Sequence, residues 1–358
     1  MSPRAAFAAP LLLLVAGAAG ADTELGERLA ATGAELLAAF PEDARGEAAY
    51  PFADAEREDV HFAPLGLDGA RHGELPERAA SLAEELLAIS LGPRGLDKAR
   101  LIRRNELVVA AKDEARWVPG FVVRRMRDPG RYFVALFGAP SAGAPWGYRY
   151  EGHHLSLNVT LAPGKAAAST PLFLGAEPRV VPDGLPDAGA RALGEEEDAA
   201  RALVAALPPG LRARATLVYT DGRELMLGQV SRVEPGAPEG VARGEAPPEA
   251  QRHFDALVEL FASNFAAEVA DARRREIDAA GRDALRFLWA EAAEPPGAFY
   301  FRLSGPRTLI EVDNTTDGDH VHAVWHDARG DFGDDLLGAH LREAHGLVLA
   351  ARGGPGEP

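Results

Sequence analysis

The chain has 358 residues, of which 47% are hydrophobic and 26% are charged, so it can bury a sizeable core and wholesale disorder is not expected. Its formal net charge is −16, with 54 acidic residues against 38 lysines and arginines, and such a surface repels a nucleic-acid backbone. The lack of cysteine excludes disulfides, thiolate metal ligands and cysteine nucleophiles.

The N-terminus has the pattern of a cleavable signal peptide. Arg4 precedes an apolar stretch over residues 5–18, and Ala19-Gly20-Ala21 supplies the small residues of a cleavage site. The apolar stretch is shorter than the ~20 residues that a membrane-spanning helix needs. We therefore expect residues 1–21 to be a leader and the protein to be exported to the periplasm or the extracellular space after cleavage near Ala21. No membrane span is expected in the mature chain.

The predicted elements fall into blocks along the chain. Such blocks favour an α+β fold with a largely antiparallel central sheet over an alternating α/β fold. We expect residues 22–352 to form a single domain, followed by a flexible tail at 353–358. In chain order we predict helices at 24–40, 76–90 and 96–107, strands at 118–123, 131–137 and 146–160, a helix at 195–207, a hairpin at 216–228, a mobile loop at 235–248, helices over 248–294, strands at 298–303 and within 307–325, and a helix at 334–349.

The first histidine cluster lies in the predicted strand at 146–160. Alternation along a strand places His153 in line with an apolar row, and it places His154 on the opposite, polar face with Ser156 and Asn158. His154 is therefore expected to face water or a cleft, and His153 to begin the apolar row. If no metal binds, the histidines of both clusters are expected to be hydrogen-bonded partners of Glu151, Glu311 and Asp313.

The second cluster lies in a predicted hairpin near the C-terminus. If Asp313 pairs with His320, then Glu311 falls opposite His322 and all four side chains share one face, with opposed Cβ atoms ~4.5–5.5 Å apart. Two imidazoles and a carboxylate in this arrangement could bind Zn, Fe, Mn or Cu. The same pattern also suits hydrogen-bonded His–carboxylate pairs that hold no metal.

Two further residues are candidates for a supporting role. His340 lies on the apolar stripe of the predicted C-terminal helix and could replace one of the ligands. Asp331 is expected not to bind the ion: it either accepts a hydrogen bond from an imidazole of the hairpin and so supports the site, or it only closes a turn. Gly330 and Gly333 beside it are expected to form tight turns with positive φ.

Several stretches of the chain form a set of motifs that is found together in one family of proteins. They include Leu86-Leu87-Ala88-Ile89-Ser90, Arg127-Asp128-Pro129, Trp146-Gly147, Glu151-Gly152-His153-His154, Phe173 with Gly175, Glu311 with Asn314, and His320-Val321-His322 with Trp325. In these stretches the chain resembles the family known as domain of unknown function 3500. The resemblance covers residues 57–345 and departs from the family pattern at His326, where arginine is expected. It implies a shared fold and shared motifs, and it implies no particular reaction.

These observations predict an exported protein with a mononuclear metal site, drawn from His154, His320, His322 and Glu311, which would perform either hydrolysis or oxygen chemistry. His153, His340, Glu151, Asp313 and Asp331 are the additional or supporting candidates. The alternative is a metal-free module that binds a small molecule or glycan in an aromatic pocket. The candidates for that pocket are Trp146, Tyr148, Arg149 and Trp325.

Overall fold

The computed structural model describes residues 10–115, 119–165, 167–217, 230–234, 238–291, 297–314 and 317–345. The predicted tail at 353–358 and most of the predicted hairpin at 216–228 lie outside these residues. Within the described part of the chain, no helix combines the length and the apolar character that crossing a bilayer requires.

Helices surround a large mixed sheet, which confirms the predicted α+β class. The helices are α1 (Pro10–Ala39), α2 (Glu42–Ala48), α3 (Glu77–Ser90), α4 (Pro93–Ala115), α5 (Gly120–Met126), α6 (Gly194–Ala206), α7 (Pro209–Ala215), α8 (Pro248–Ala262), α9 (Ala267–Ala279) and α10 (Asp334–His345).

The sheet has 12 strands and is antiparallel except where β1 pairs with β3 and where β7 pairs with β9. Its order is β1-β3-β4-β5-β6-β12-β11-β10-β9-β7, with β2 on β3 and β8 on β9. The strands are β1 (Ala49–Tyr50), β2 (Ala70–Arg71), β3 (Tyr132–Phe137), β4 (Trp146–Gly152), β5 (Leu155–Leu161), β6 (Leu172–Ala176), β7 (Thr216–Leu217), β8 (Val241–Ala242), β9 (Arg286–Glu291), β10 (Phe299–Ser304), β11 (Thr308–Asp313) and β12 (Val321–Asp327).

Three sequence-based predictions of elements are wrong. The strand predicted at 118–123 falls on helix α5, which starts directly after Pro119 and overrides the β preference of its valines. The helix predicted to continue to residue 294 stops at α9, because Gly281 takes a left-handed conformation (φ 93°) and the chain then enters strand β9. The single strand predicted at 146–160 is two strands, β4 and β5, joined by a two-residue turn.

One face of the sheet packs against helices α1, α3, α4, α6, α8 and α9 and forms the main hydrophobic core. Aromatic side chains fill it, and Trp325 contacts Phe261 and Phe265 at ring-centroid distances of 6.3 and 5.3 Å. Each such side chain contributes about 1.5–3 kcal/mol on burial. This packing covers one face of the central strands, including β4, β5 and β12, whose ends carry the histidines.

The opposite face of the sheet buries polar side chains under residues 54–62, which we call the covering segment. Arg149 of β4 donates from Nη1 to the carbonyl oxygens of Glu56 (2.7 Å) and Asp59 (3.0 Å). Its Nε lies 2.9 Å from Oε2 of Glu151, and neither side chain is more than 1% exposed. Arg149 therefore fastens the covering segment to the sheet.

Glu151 gives the protein a pH-dependent stability. Burial, reinforced by the Glu56 carboxylate and only partly offset by Arg149, raises the pKa of Glu151 to about 8. Because this pKa is above that of the unfolded chain, the folded state holds the proton between pH ~4.5 and ~8, and the free energy of unfolding falls as pH rises through that window. The Glu151→Gln variant cannot ionise, so its stability relative to the parent should increase with pH, by about 1 kcal/mol per unit.

Urea unfolding of chelator-treated protein at pH 5, 6, 7 and 8 measures this difference. The same substitution at Glu77, which is exposed at the start of α3, is the matched control. A parent-to-variant difference that stays constant over this range would show that Glu151 is ionised throughout, held by Arg149.

Candidate metal centre

Four histidines meet at one end of the neighbouring strands β5, β6 and β12. His153 and His154 form the two-residue turn between β4 and β5, in which Gly152 pairs with Leu155. His154 has a positive φ of 67°, which turns the chain within two residues. His320 directly precedes β12, and His322 lies within that strand opposite Gly175 of β6. The insertion of β6 between β5 and β12 thus brings the two clusters together.

The imidazoles face one another through their ring nitrogens. Nε2 of His320 lies 2.6 Å from Nε2 of His154 and 3.1 Å from Nε2 of His322. Ligand nitrogens of His153, His154 and His320 all lie within 4.8 Å of one another. The ring of His322 lies against Phe62 and Phe173, with its centroid 4.5 Å from that of His320 and 5.4 Å from that of His154. His154 and His320 therefore form the centre of the cluster.

Burial keeps the central histidines neutral. It lowers the pKa of His154 well below the usual value, and the neighbouring His153 and His322 lower it further. Burial and the adjacent His322 likewise lower the pKa of His320 to about 4. At neutral pH these rings carry a lone pair, which is the form that binds metal.

A buried carboxylate orients His153. Nδ1–H of His153 donates to Oε1 of Glu106 in α4 at 2.5 Å, and Glu106 is 2% exposed. In this tautomer the lone pair of His153 is on Nε2. Carboxylate–histidine–metal arrangements use an imidazole oriented in the same way. Arg127 lies beside the same ring, with Nη1 3.1 Å from Nδ1 and 3.5 Å from Nε2.

The absence of a side chain at Gly175 makes room for the cluster. A Cβ atom at this position would lie 2.9 Å from Cδ2 of His154 and 2.9 Å from Cδ2 of His322. Phe173, two residues earlier on the same face, stacks on Phe62 of the covering segment at 3.6 Å between centroids. The backbone N–H of His154 donates a hydrogen bond to the carbonyl oxygen of Phe62, which also belongs to the covering segment (2.9 Å). The turn and the strands are thus held from several sides.

The predicted register of the C-terminal hairpin is wrong by two residues. Asp313 pairs with His322 and Glu311 pairs with Val324, because the connection runs to His320 and β12 begins only at Val321. The backbone N–H of His320 donates to Asp317 within this connection (2.8 Å). A register shift of two residues keeps each side chain on the same face of the sheet but changes the residue that lies directly opposite it. Asp313, and not Glu311, is therefore the carboxylate opposite His322.

Glu311 belongs to a different part of the sheet face. Its Oε1 accepts a hydrogen bond from the hydroxyl of Tyr300 at 2.6 Å. It lines a cavity of about 370 Å³, to which Val233, Glu234 and Pro238 also contribute. Apolar and charged side chains share the wall of this cavity, among them Val233, Pro306, Leu309 and Arg302.

Three of the supporting residues predicted from the sequence, Asp331, His340 and Glu151, lie away from the cluster of converging nitrogens. Asp331 does accept a hydrogen bond from an imidazole of the hairpin, but the donor is Nδ1–H of His326 (2.6 Å), roughly 13 Å along the strand from His322. Gly333 has a positive φ of 75° whereas Gly330 does not. His340 lies in α10, outside the group of converging ligand nitrogens found among the described residues. Glu151 pairs with Arg149 under the covering segment.

The predicted aromatic pocket is also wrong. Trp146, Tyr148 and Trp325 are at most 2% exposed and belong to the main core, where the hydroxyl of Tyr148 donates to the carbonyl of Leu86 (2.9 Å). Arg149 is 1% exposed and anchors the covering segment. Apolar alternation predicts a buried face and a pocket wall equally well, and packing against the helices decides between them.

Binding of one ion by all three histidines requires the rings to move. The rings of His153 and His154 stack at 3.7 Å between centroids with 26° between their planes, so one of them must turn before both lone pairs point at the same ion. Two nitrogens bound at 2.0–2.1 Å to one tetrahedral ion stand about 3.3 Å apart. His154 and His320 must therefore separate by under about 1 Å from their 2.6 Å contact. An all-nitrogen donor set of this kind suits zinc, copper or iron better than magnesium or calcium.

Sequence reasoning missed three residues of the site. Glu106 reaches His153 from helix α4 and Arg127 from the residue that follows helix α5, and Gly175 provides the space between the rings. Arg127 and Gly175 do lie in the family-like stretches, whereas no sequence signal pointed to Glu106.

A comparison with protein-family models matches residues 23–334 to the family described as Protein of unknown function (DUF3500). No curated protein and no solved structure matches the chain.

Proposed function

We propose that this chain, which belongs to the family of proteins of unknown function DUF3500, binds one divalent metal ion between His153, His154 and His320 and uses it for catalysis. The observation that carries the proposal is the convergence of the three ligand nitrogens within 4.8 Å. His322 is the fourth candidate ligand, since its Nε2 lies 3.1 Å from that of His320.

The surrounding residues support a catalytic site over a closed structural one. His320 and His322 are partly exposed, whereas His153 and His154 are buried, so one side of the cluster is open to solvent. Catalytic zinc sites combine three protein ligands with one open position in this way. An ion held there would lower the pKa of a bound water to about 7 and so supply a nucleophile near neutral pH. We favour metal-assisted hydrolysis on this basis.

Carboxylates orient the proposed ligands from behind. Glu106 fixes the tautomer of His153 by its 2.5 Å hydrogen bond. Asp313 stands directly opposite His322 in the ladder, within reach of its ring. Such partners raise the basicity of ligating imidazoles. The signal-peptide pattern at residues 1–21 supports an exported enzyme that would acquire its ion from outside the cytoplasm.

Element analysis of protein purified without chelator tests the proposal. We expect about one equivalent of zinc, copper, iron or manganese per chain, and a melting temperature that falls when the ion is removed. Less than about a tenth of an equivalent of any of these metals, with no rise in melting temperature on adding them back, would contradict the proposal.

A metal-free ligand-binding protein is the second candidate, and the cavity beside Glu311 favours it. Its volume of about 370 Å³ lies within the range of small-molecule sites. The buried pair of Tyr300 and Glu311 would give such a site a polar end. In that case the histidines would be hydrogen-bonded to one another, and binding would not depend on any of them.

A further inference from the structure

We infer that the substrate of the proposed metal centre carries a carboxylate group, which Arg127 binds beside the ion. The inference rests on the proposed metal site. The guanidinium of Arg127 lies against the ring of His153, with Nη1 3.1 Å from Nδ1 and 3.5 Å from Nε2, the nitrogen that is left for the ion. It is largely buried, its side chain being 13% exposed. A fixed positive charge therefore stands next to the position where a divalent cation would bind.

This placement is unfavourable for metal binding alone, because the two positive charges repel each other over a few ångströms. Asp113 offsets part of the repulsion by accepting from Nε of Arg127 at 2.9 Å. With Nε held by Asp113, Nη1 of Arg127 faces the ring of His153. A carboxylate between the ion and Arg127 would convert the repulsion into two attractive contacts, and the planar fork of arginine matches its geometry.

The other charged groups near the histidine cluster contact one another or the backbone. Lys112 contacts Glu177 (3.3 Å) and Asp319 (3.1 Å), and Asp317 accepts from backbone N–H groups. Glu106 is engaged by His153. Arg127 is itself paired with Asp113, but of Lys112 and Arg127 it is the cation that contacts a proposed ligand, so the recognition of an anion is assigned to it.

Acetate binding to the cobalt(II)-loaded protein tests the inference, because the visible absorption of cobalt reports both metal and anion binding. In the parent, acetate should shift the spectrum, whereas the neutral analogue acetamide should not. Arg127→Gln should bind cobalt at least as tightly as the parent but acetate about 10- to 100-fold more weakly. Arg127→Lys should recover part of the acetate affinity, since it restores the charge without the fork. Arg104→Gln removes a positive charge from the exposed Arg104–Asp187 pair and is the matched control.

The outcomes separate the two proposals. Cobalt binding in all variants with unchanged acetate affinity in Arg127→Gln would overturn the role of Arg127 and leave the metal site standing. Equal responses to acetate and acetamide would overturn the selectivity for a carboxylate. No cobalt spectrum in the parent would overturn the metal site itself. If Arg127→Gln does not fold, the comparison between the parent and Arg127→Lys decides, and equal acetate affinity there would contradict the inference.

Discussion

Replacing His320 with alanine is expected to weaken metal binding by at least about 100-fold, a larger loss than supporting residues usually cause. His320 is central to the cluster, since its Nε2 lies 2.6 Å from that of His154 and 3.1 Å from that of His322. Its side chain is partly exposed, so the free energy of unfolding of the metal-free protein should change by less than about 1 kcal/mol. Competition against a chromophoric chelator measures the affinity, and urea unfolding measures the stability.

The matched control is His253→Ala, which removes a partly exposed histidine from helix α8, away from the cluster. Its metal affinity should equal that of the parent. Retention of parental affinity by His320→Ala would show that the ion, if one binds, is held elsewhere. A similar loss in both variants would indicate non-specific binding by surface imidazoles.

Adding a single methyl group at Gly175 is expected to damage the site as severely as losing a ligand. The new Cβ would lie 2.9 Å from the rings of both His154 and His322. Strand β6 is paired on both sides, with β5 and β12, so its backbone cannot retreat and the rings must move instead. We expect Gly175→Ala to lower metal affinity about 10-fold or more and to destabilise the protein by about 1–3 kcal/mol, as overpacking does.

Gly210→Ala serves as its control, because a Cβ there would meet no atom within 4 Å. It lies in helix α7, where alanine should be neutral or stabilising. Parental metal affinity in Gly175→Ala would mean that the imidazoles adjust freely and that their present arrangement is not required for binding. Chelator competition and thermal unfolding of the two variants provide the comparison.

The sequence predicted the class of the fold and the faces of the strands well, because both follow from local periodicity. Alternation correctly placed Ser156 and Asn158 on the face opposite Leu157, and it placed Asp313 and His322 on one shared face. It also drew attention to His154, His320 and His322, whose rings the structure brings together from two distant segments. These features need only the two-residue repeat of a strand.

The failures all involve information that local patterns do not contain. The turn at His153 and His154 has no glycine or asparagine to mark its left-handed residue, so two strands looked like one. The register of β11 and β12 depends on the length of the connection before Val321, which composition does not fix. Glu106 reaches His153 across 47 residues of sequence, and only the packing of α4 against the sheet brings the two together.

The insertion of β6 between β5 and β12 has a consequence for how the chain holds together. His154 and His320 are 166 residues apart, and they come from the two halves of the sheet that meet at β6. An ion bound by both would be a reversible cross-link between residues far apart in the sequence, much as a disulfide is in proteins that contain cysteine. Occupancy of the site would then set how easily the two halves separate under heat, protease or mechanical force.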